Sequence, residues 1–139
     1  MGWYRILDSC IWASNEQLNF AEANIQCAQI VDDGRLFEPM NLMQNNLVGQ
    51  LKTELLGKQA FCWIGLEDQD NEGEYVYHTS KQSVAFANWE SYITRSGHTK
   101  YEPNGRRTEN CVDMKPVGQW GDLPCNGRRC FICEKPLLL

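Results

Sequence analysis

The chain has no apolar run approaching the 20 or so residues that a bilayer-crossing helix needs, so no membrane span is expected. Histidine is scarce. His78 and His98 lack zinc-finger spacing, and the one close cysteine pair, Cys130-Phe131-Ile132-Cys133, has no second pair to complete a zinc site. That pair closes the chain instead of opening a helix after a strand, which argues against a thioredoxin-like redox motif. Positive charge is not in excess: 13 Lys and Arg stand against 18 Asp and Glu, for a net charge of -5. This balance gives no reason to expect nucleic acid or another polyanion as the partner, while leaving room for a local basic patch. No Asn-x-Ser/Thr acceptor, internal repeat or linker is present. Met1-Gly2-Trp3-Tyr4 has no apolar leader core, so a mature domain with an added initiator methionine is expected. Leu7 stands where a myristoylation signal wants Ser or Thr. No Ser/His/Asp or Cys/His constellation emerges, so no enzyme is expected.

What the chain does have is cysteine. Seven in 139 residues, at positions 10, 27, 62, 111, 125, 130 and 133, suggest a disulfide-stapled fold made in an oxidising, extracellular compartment. Seven is odd, so one thiol is left over to stay free or to join a second chain. The length fits one domain over residues 1–139 with a real core.

Local patterns give an α+β order. Trp3 to Trp12 reads as a first strand. Ser14 or Asn15 is a candidate cap for a helix through Phe20, Ala23, Cys27 and Ala28, ended by Asp32-Asp33-Gly34. A second helix is expected from Asn41 to Leu56, with Leu47, Leu51 and Leu55 at four-residue spacing beside Val48, and Gly57 as its stop. Phe61-Cys62-Trp63-Ile64-Gly65-Leu66 reads as a buried strand, Glu67 to Glu74 as a turn, and Tyr75-Val76-Tyr77 as a strand. Residues 80–108 form a long aperiodic loop with Phe86, Trp89, Tyr92 and Tyr101 as anchors, a length usually tied to function or disorder. Cys111 to Met114 and Arg129 to Cys133 read as late strands.

The segment Glu102-Pro103-Asn104-Gly105-Arg106-Arg107-Thr108-Glu109-Asn110-Cys111 packs carboxylates and an amide into one short loop. Trp120-Gly121-Asp122-Leu123-Pro124-Cys125 follows. Oxygen donors in this density suit a hard cation such as Ca2+, which takes six to eight oxygen ligands. Glu102, Glu109 and Asp122 are more natural as ionised ligands than as a separated acid and nucleophile for glycoside hydrolysis.

Gly2-Trp3, Cys27, Trp63-Ile64-Gly65-Leu66, Glu102-Pro103-Asn104, Glu109-Asn110-Cys111, Trp120-Gly121-Asp122 with Cys125, and Ile132-Cys133-Glu134 together closely resemble the C-type lectin-like domain family across nearly the whole chain. The resemblance implies an α+β fold with two helices, short antiparallel sheets and a long ligand-binding loop. It implies Cys27–Cys133 and Cys111–Cys125 bridges. Cys62 and Cys130 would lie on neighbouring strands and could bridge, leaving Cys10 free or intermolecular. A Cys10–Cys130 bridge is the alternative. It further implies that Glu102, Asn104, Glu109 and Asp122 bind Ca2+ and, with Tyr101 as a stacking surface, a sugar. The Glu-Pro-Asn order resembles the mannose-type version, for mannose, glucose, fucose or N-acetylglucosamine; exchanging acid and amide exchanges acceptors and donors around the sugar hydroxyls. The expected role is therefore a secreted, calcium-dependent lectin for glycans on cell or microbial surfaces, used in recognition or innate defence. A homodimer linked through Cys10 would supply avidity.

One position departs from the pattern. Gly121 replaces the family's amide, which would bind both calcium and sugar. The alternative is a calcium-independent protein- or surface-binding module on the same fold. Asp68 and Glu72 match two carboxylate positions of an accessory calcium site in some relatives; with Asp70 they are read here as solvent-facing turn residues. Trp63, Phe86, Trp89 and Trp120 are read as core or loop anchors, Tyr92, Arg95, His98 and Lys100 as a wall beside Tyr101, and Arg106 and Arg107 as exposed.

Overall fold

The computed structural model describes residues 2–71, 73–93, 99–101 and 110–137, with the backbone alone for 91–93 and 99–101. In chain order the elements are β1 (Tyr4–Ile6), β2 (Ser9–Leu18), α1 (Phe20–Ile30), β3 (Arg35–Leu36), α2 (Leu42–Leu56), β4 (Cys62–Glu67) and β5 (Val76–Tyr77). There follow β6 (Ser91–Ile93), β7 (Thr99–Tyr101), β8 (Asn110–Met114), a 3-10 turn (Pro116–Gly118), β9 (Trp120–Pro124) and β10 (Arg129–Pro136). The main sheet runs β1-β2-β10-β4-β8-β9, with β3 on β10 and β5 on β4; β6 and β7 pair separately. Only β10 and β4 run parallel among these pairs.

The expected first strand is two strands, and β2 continues through the expected helix start. Ser9, Ile11 and Ala13 alternate inward along it, a period of two that favours extended chain over helix. The cap of α1 is consequently Asn19, not Ser14 or Asn15. Its side chain accepts from the Glu22 amide while Glu22 accepts from the Asn19 amide, a reciprocal capping box. Phe20, Ala23 and Cys27 face the sheet; Ala28 is exposed.

Helix α2 starts at the Asn41 cap and stops at Gly57, whose φ of 99° suits glycine. Its buried face is not the leucine stripe. Gln44, Asn45, Val48, Gly49 and Lys52 are buried, while Leu47 is exposed. Polar residues win this face because they have specific partners: Asn45 donates to the Gly118 carbonyl at 2.9 Å, and Lys52 donates to the Ala60 carbonyl.

Strand β4 is buried along its whole length because helices cover both faces of the sheet. Cys62, Ile64 and Leu66 join Val48, Val112, Met114 and Trp120 on the α2 side. Trp63 joins Phe20, Cys111, Phe131 and Cys133 on the α1 side. Gly65 is required by close approach: a β-carbon there would lie 2.8 Å from the Leu36 carbonyl oxygen.

Three disulfides form: Cys27–Cys133, Cys62–Cys130 and Cys111–Cys125. Cys62 and Cys130 are direct partners in the parallel β4–β10 register, which excludes the Cys10–Cys130 alternative. Cys10 is unpaired and half-buried on β2.

Candidate functional site

The oxygen-rich loop empties into the β8–β9 hairpin. Val112 pairs with Asp122, Asp113 with Gly121 and Met114 with Trp120. The Cys111–Cys125 bridge closes the hairpin at its open end. Of the residues assigned to calcium and sugar, Asp122 is described. Glu102, Asn104, Glu109 and the side chain of Tyr101 lie outside the described residues, as do those of Tyr92, Arg95, His98, Lys100, Arg106 and Arg107.

Alternation sets the two faces of β9. The Trp120 indole is fully buried and donates from Nε1 to Asn45 Oδ1 at 2.8 Å. It meets Trp89 edge-on at 5.5 Å between centroids, and Phe86 at 5.0 Å. The Trp120 amide donates to the Asn88 carbonyl and the Glu90 amide to the Trp120 carbonyl, so residues 88–90 are laid along the free edge of β9. Asp122 is half-buried and accepts from the Tyr75 hydroxyl at 3.2 Å.

The loop's exit is latched by Asp68. One oxygen accepts from the Asn110 amide at 3.0 Å and the other from the Gly73 amide at 2.8 Å. Asp68 is only 2 % exposed, which corrects the solvent-facing reading; Asp70 is exposed as expected, and Glu72 lies outside the described residues. Beside it the buried Glu67 carboxylate takes His78 Nδ1 at 2.7 Å and Lys81 Nζ at 3.4 Å. Burial works against ionisation of Glu67, but the His78 hydrogen bond, the Gln69 amide and the Lys81 charge hold its pKa below the usual carboxylate value.

Gly121 faces the other way. A β-carbon at 121 would lie 2.2 Å from Cε and 2.8 Å from Nζ of Lys115, and 3.1 Å from Asp113 Oδ1. The lysine side chain therefore occupies the space a side chain at 121 would need. Its ammonium pairs with Glu90 at 3.0 Å and sits 5.8 Å from the Phe61 ring centroid. Sequence reading missed Lys115, Glu90 and Asp113. Their convergence depends on the hairpin register, and only the missing side chain at 121 hinted at it.

Of the calcium ligand set that the resemblance implies, only Asp122 lies among the described residues. Gly121 supplies no side-chain oxygen, and the end of the Lys115 side chain, paired with Glu90, reaches into its place. Among the described residues no three His, Cys, Asp or Glu side chains gather as a metal-binding group.

Asp113 is the electrostatic cost of this arrangement. Burial pushes its carboxyl up to about 6, against the opposing pull of Lys115 and Arg129. Because the folded value is raised, the folded state holds the proton more tightly. The associated stability is full below about pH 4 and is lost as pH rises through about 6. A displacement from 3.8 to about 6 corresponds to roughly 3 kcal/mol. Asp113→Asn is expected to remove this component of the fall in stability between about pH 4 and pH 7, read by urea unfolding at a series of pH values. An unchanged slope would contradict the assignment.

Comparison with known structures first defines the class. The chain shares the fold of the mouse scavenger receptor C-type lectin carbohydrate-recognition domain, with a TM-score of 0.77, 24% identity, and 98% of this chain and 96% of that chain covered. It shares the same fold with a calcium-independent type II antifreeze protein, with a TM-score of 0.77, 19% identity, and 99% and 93% covered. The α+β architecture with two helices and a mixed sheet is thus the C-type lectin-like fold.

The chain belongs to the Lectin C-type domain family, whose pattern matches residues 16–135. Human Tetranectin is 31% identical over 127 residues, which cover 90% of this chain and 58% of that protein. The chain thus spans little more than half of that relative. The family is one of lectin domains, so the chain is a lectin-type binding module and not an enzyme. No described helix is long and apolar enough to cross a membrane.

Proposed function

We propose that this chain is an extracellular recognition module that binds surface ligands, glycans included, without depending on bound calcium. The observation that carries the reading is Lys115 lying across Gly121. The family's amide at that position is absent, and a lysine ammonium held by Glu90 stands in its space. A resident positive charge beside the hairpin opposes a divalent cation, and one oxygen ligand is missing. The antifreeze protein named above, calcium-independent by its own description, supports the compatibility of this fold with such a role. The three disulfides support secretion into an oxidising compartment. Joining of a second copy through the unpaired Cys10 completes the proposal.

A second reading is calcium-dependent binding of mannose-type sugars through Glu102, Asn104, Glu109 and Asp122, with Tyr101 as a stacking surface. The Glu-Pro-Asn order favours it, as does the placement of Asp122 on β9.

A glycan array probed with and without chelator separates the two, with monomer and Cys10-linked dimer assayed apart under non-reducing conditions. Binding that persists in chelator supports calcium independence. Mannose-type binding that vanishes in chelator would overturn it in favour of the second reading.

A further inference from the structure

A groove of about 590 Å³ opens where the end of β2, the turn after α2 and the start of β10 meet. Asn15, Gln17, Lys58, Gln59, Phe61 and Arg129 are among its walls, and none of the lining residues is acidic. None belongs to the loop site. In a chain of net charge -5 the groove nevertheless gathers cations. Lys58 and Arg129 line it, and Arg128 is bonded to the Gln17 carbonyl at its rim. The Lys115 ammonium, already paired with Glu90, lies behind the wall at 5.8 Å from the ring of Phe61.

Part of the donor set is unspent, although Gln17 Nε2 already donates to the Asn15 carbonyl at 3.2 Å. Asn15, Lys58 and Gln59 make no side-chain hydrogen bond or ion pair among the described residues. Arg129 uses Nη1 on the Arg128 carbonyl at 2.8 Å. Its Nε is buried 3.9 Å from Asp113 and faces away from the groove, which leaves Nη2 as the donor turned to a ligand. Asp113 is only 2 % exposed, so it orients the guanidinium from beneath without offering a carboxylate to the groove.

This combination has a chemical meaning. A planar guanidinium matches a carboxylate or sulfate fork, and a lysine adds a second point charge. Side-chain amides donate to and accept from hydroxyl groups. A half-buried phenyl ring supplies an apolar face for a sugar's C–H surface. The volume lies within the usual range for small-ligand clefts. We propose that this groove is a second binding site, distinct from the loop, and that it takes an acidic saccharide unit. Arg129 and Lys58 hold its charged group, Asn15, Gln17 and Gln59 its hydroxyls, and Phe61 its ring.

The test uses a heparin-derived tetrasaccharide titrated into isotopically labelled protein at low salt. Amide shifts should concentrate at residues 15–17, 57–61 and 128–130, weaken as salt screens the charges, and be unaffected by chelator. Lys58→Glu and Gln59→Ala alter exposed side chains without partners, so both variants should fold. Lys58→Glu should weaken binding by about tenfold or more, with Gln59→Ala smaller in effect. A desulfated tetrasaccharide that keeps its carboxylates shows which anion is held; binding of either form supports the site. Shifts elsewhere, or full affinity in Lys58→Glu, would overturn the proposal. Binding at the loop should be unchanged in both variants, so failure here and failure of the calcium-independent reading remain distinguishable.

Discussion

Replacing Cys27 and Cys133 together by alanine is expected to lower the free energy of unfolding by about 4 kcal/mol. With the nested Cys62–Cys130 bridge intact, the loop that the Cys27–Cys133 bridge closes runs through residues 27–62 and 130–133, a separation of 38 out of 106, still longer than the 14 of Cys111–Cys125. Opening it releases the unfolded chain from a large loop-closure constraint, whereas the shorter loop is worth about 3 kcal/mol. Both sulfurs also fill core volume. Cys27 and Cys133 are fully buried among Phe20, Ala23, Leu36, Trp63 and Phe131. Cys133 pairs with Trp12 of β2 and Leu36 of β3, so the bridge fastens α1 to the middle of the sheet. Against a typical total of about 5–15 kcal/mol, this loss leaves little reserve. Denaturant unfolding of this variant beside Cys111→Ala/Cys125→Ala should show the larger loss in the first. Equal losses would contradict the loop-length argument.

Trp120→Ala is expected to cost about 3–5 kcal/mol and to loosen the hairpin that carries Asp122. The indole touches three parts of the chain: Asn45 of α2 by hydrogen bond, and Phe86 and Trp89 by ring contact. Truncation leaves a cavity and strands a buried Asn45 oxygen. It also weakens the hold on residues 88–90, whose backbone bonds to Trp120 place Glu90 against Lys115. Trp120→Phe keeps an aromatic ring but loses the donor, so it should cost less, about 1–3 kcal/mol. Urea unfolding gives the energies, and loss of near-ultraviolet circular dichroism reports the loosened aromatic cluster. A Trp120→Ala protein as stable as wild type would contradict the packing described.

Much of this framework is legible in the sequence because it is local. The stop at Gly57, the buried strand around Trp63 and the anchors Phe86 and Trp89 follow from residue type and spacing. What escaped was long-range. Asn19 and Glu22 form the α1 cap, but Ser14 and Asn15 carry the same chemistry, and only the pairing of β2 with β10 decides between them. The leucines of α2 suggested a stripe, yet Asn45 and Lys52 occupy its buried face because the distant Gly118 carbonyl and the Ala60 carbonyl of the following turn accept their hydrogen bonds. Strand β9 was not expected, since Gly121 and Pro124 break any pattern; it exists through its register with β8. Asp68 looked like one of several turn acids, and only folding brings the Asn110 amide to it. At the loop site, Gly121 was visible as a gap, but not that Lys115 fills it. A lysine six residues away reaches that space only once the hairpin closes.

The most direct test of this account is calorimetric titration of calcium into the wild-type protein beside Gly121→Asn/Lys115→Ala, which restores the amide and removes the ammonium. The account predicts that wild type binds calcium no tighter than about 1 mM, the weak end for extracellular modules, and that the double variant binds about tenfold tighter. Micromolar binding by wild type, unchanged or weakened in the double variant, would contradict it.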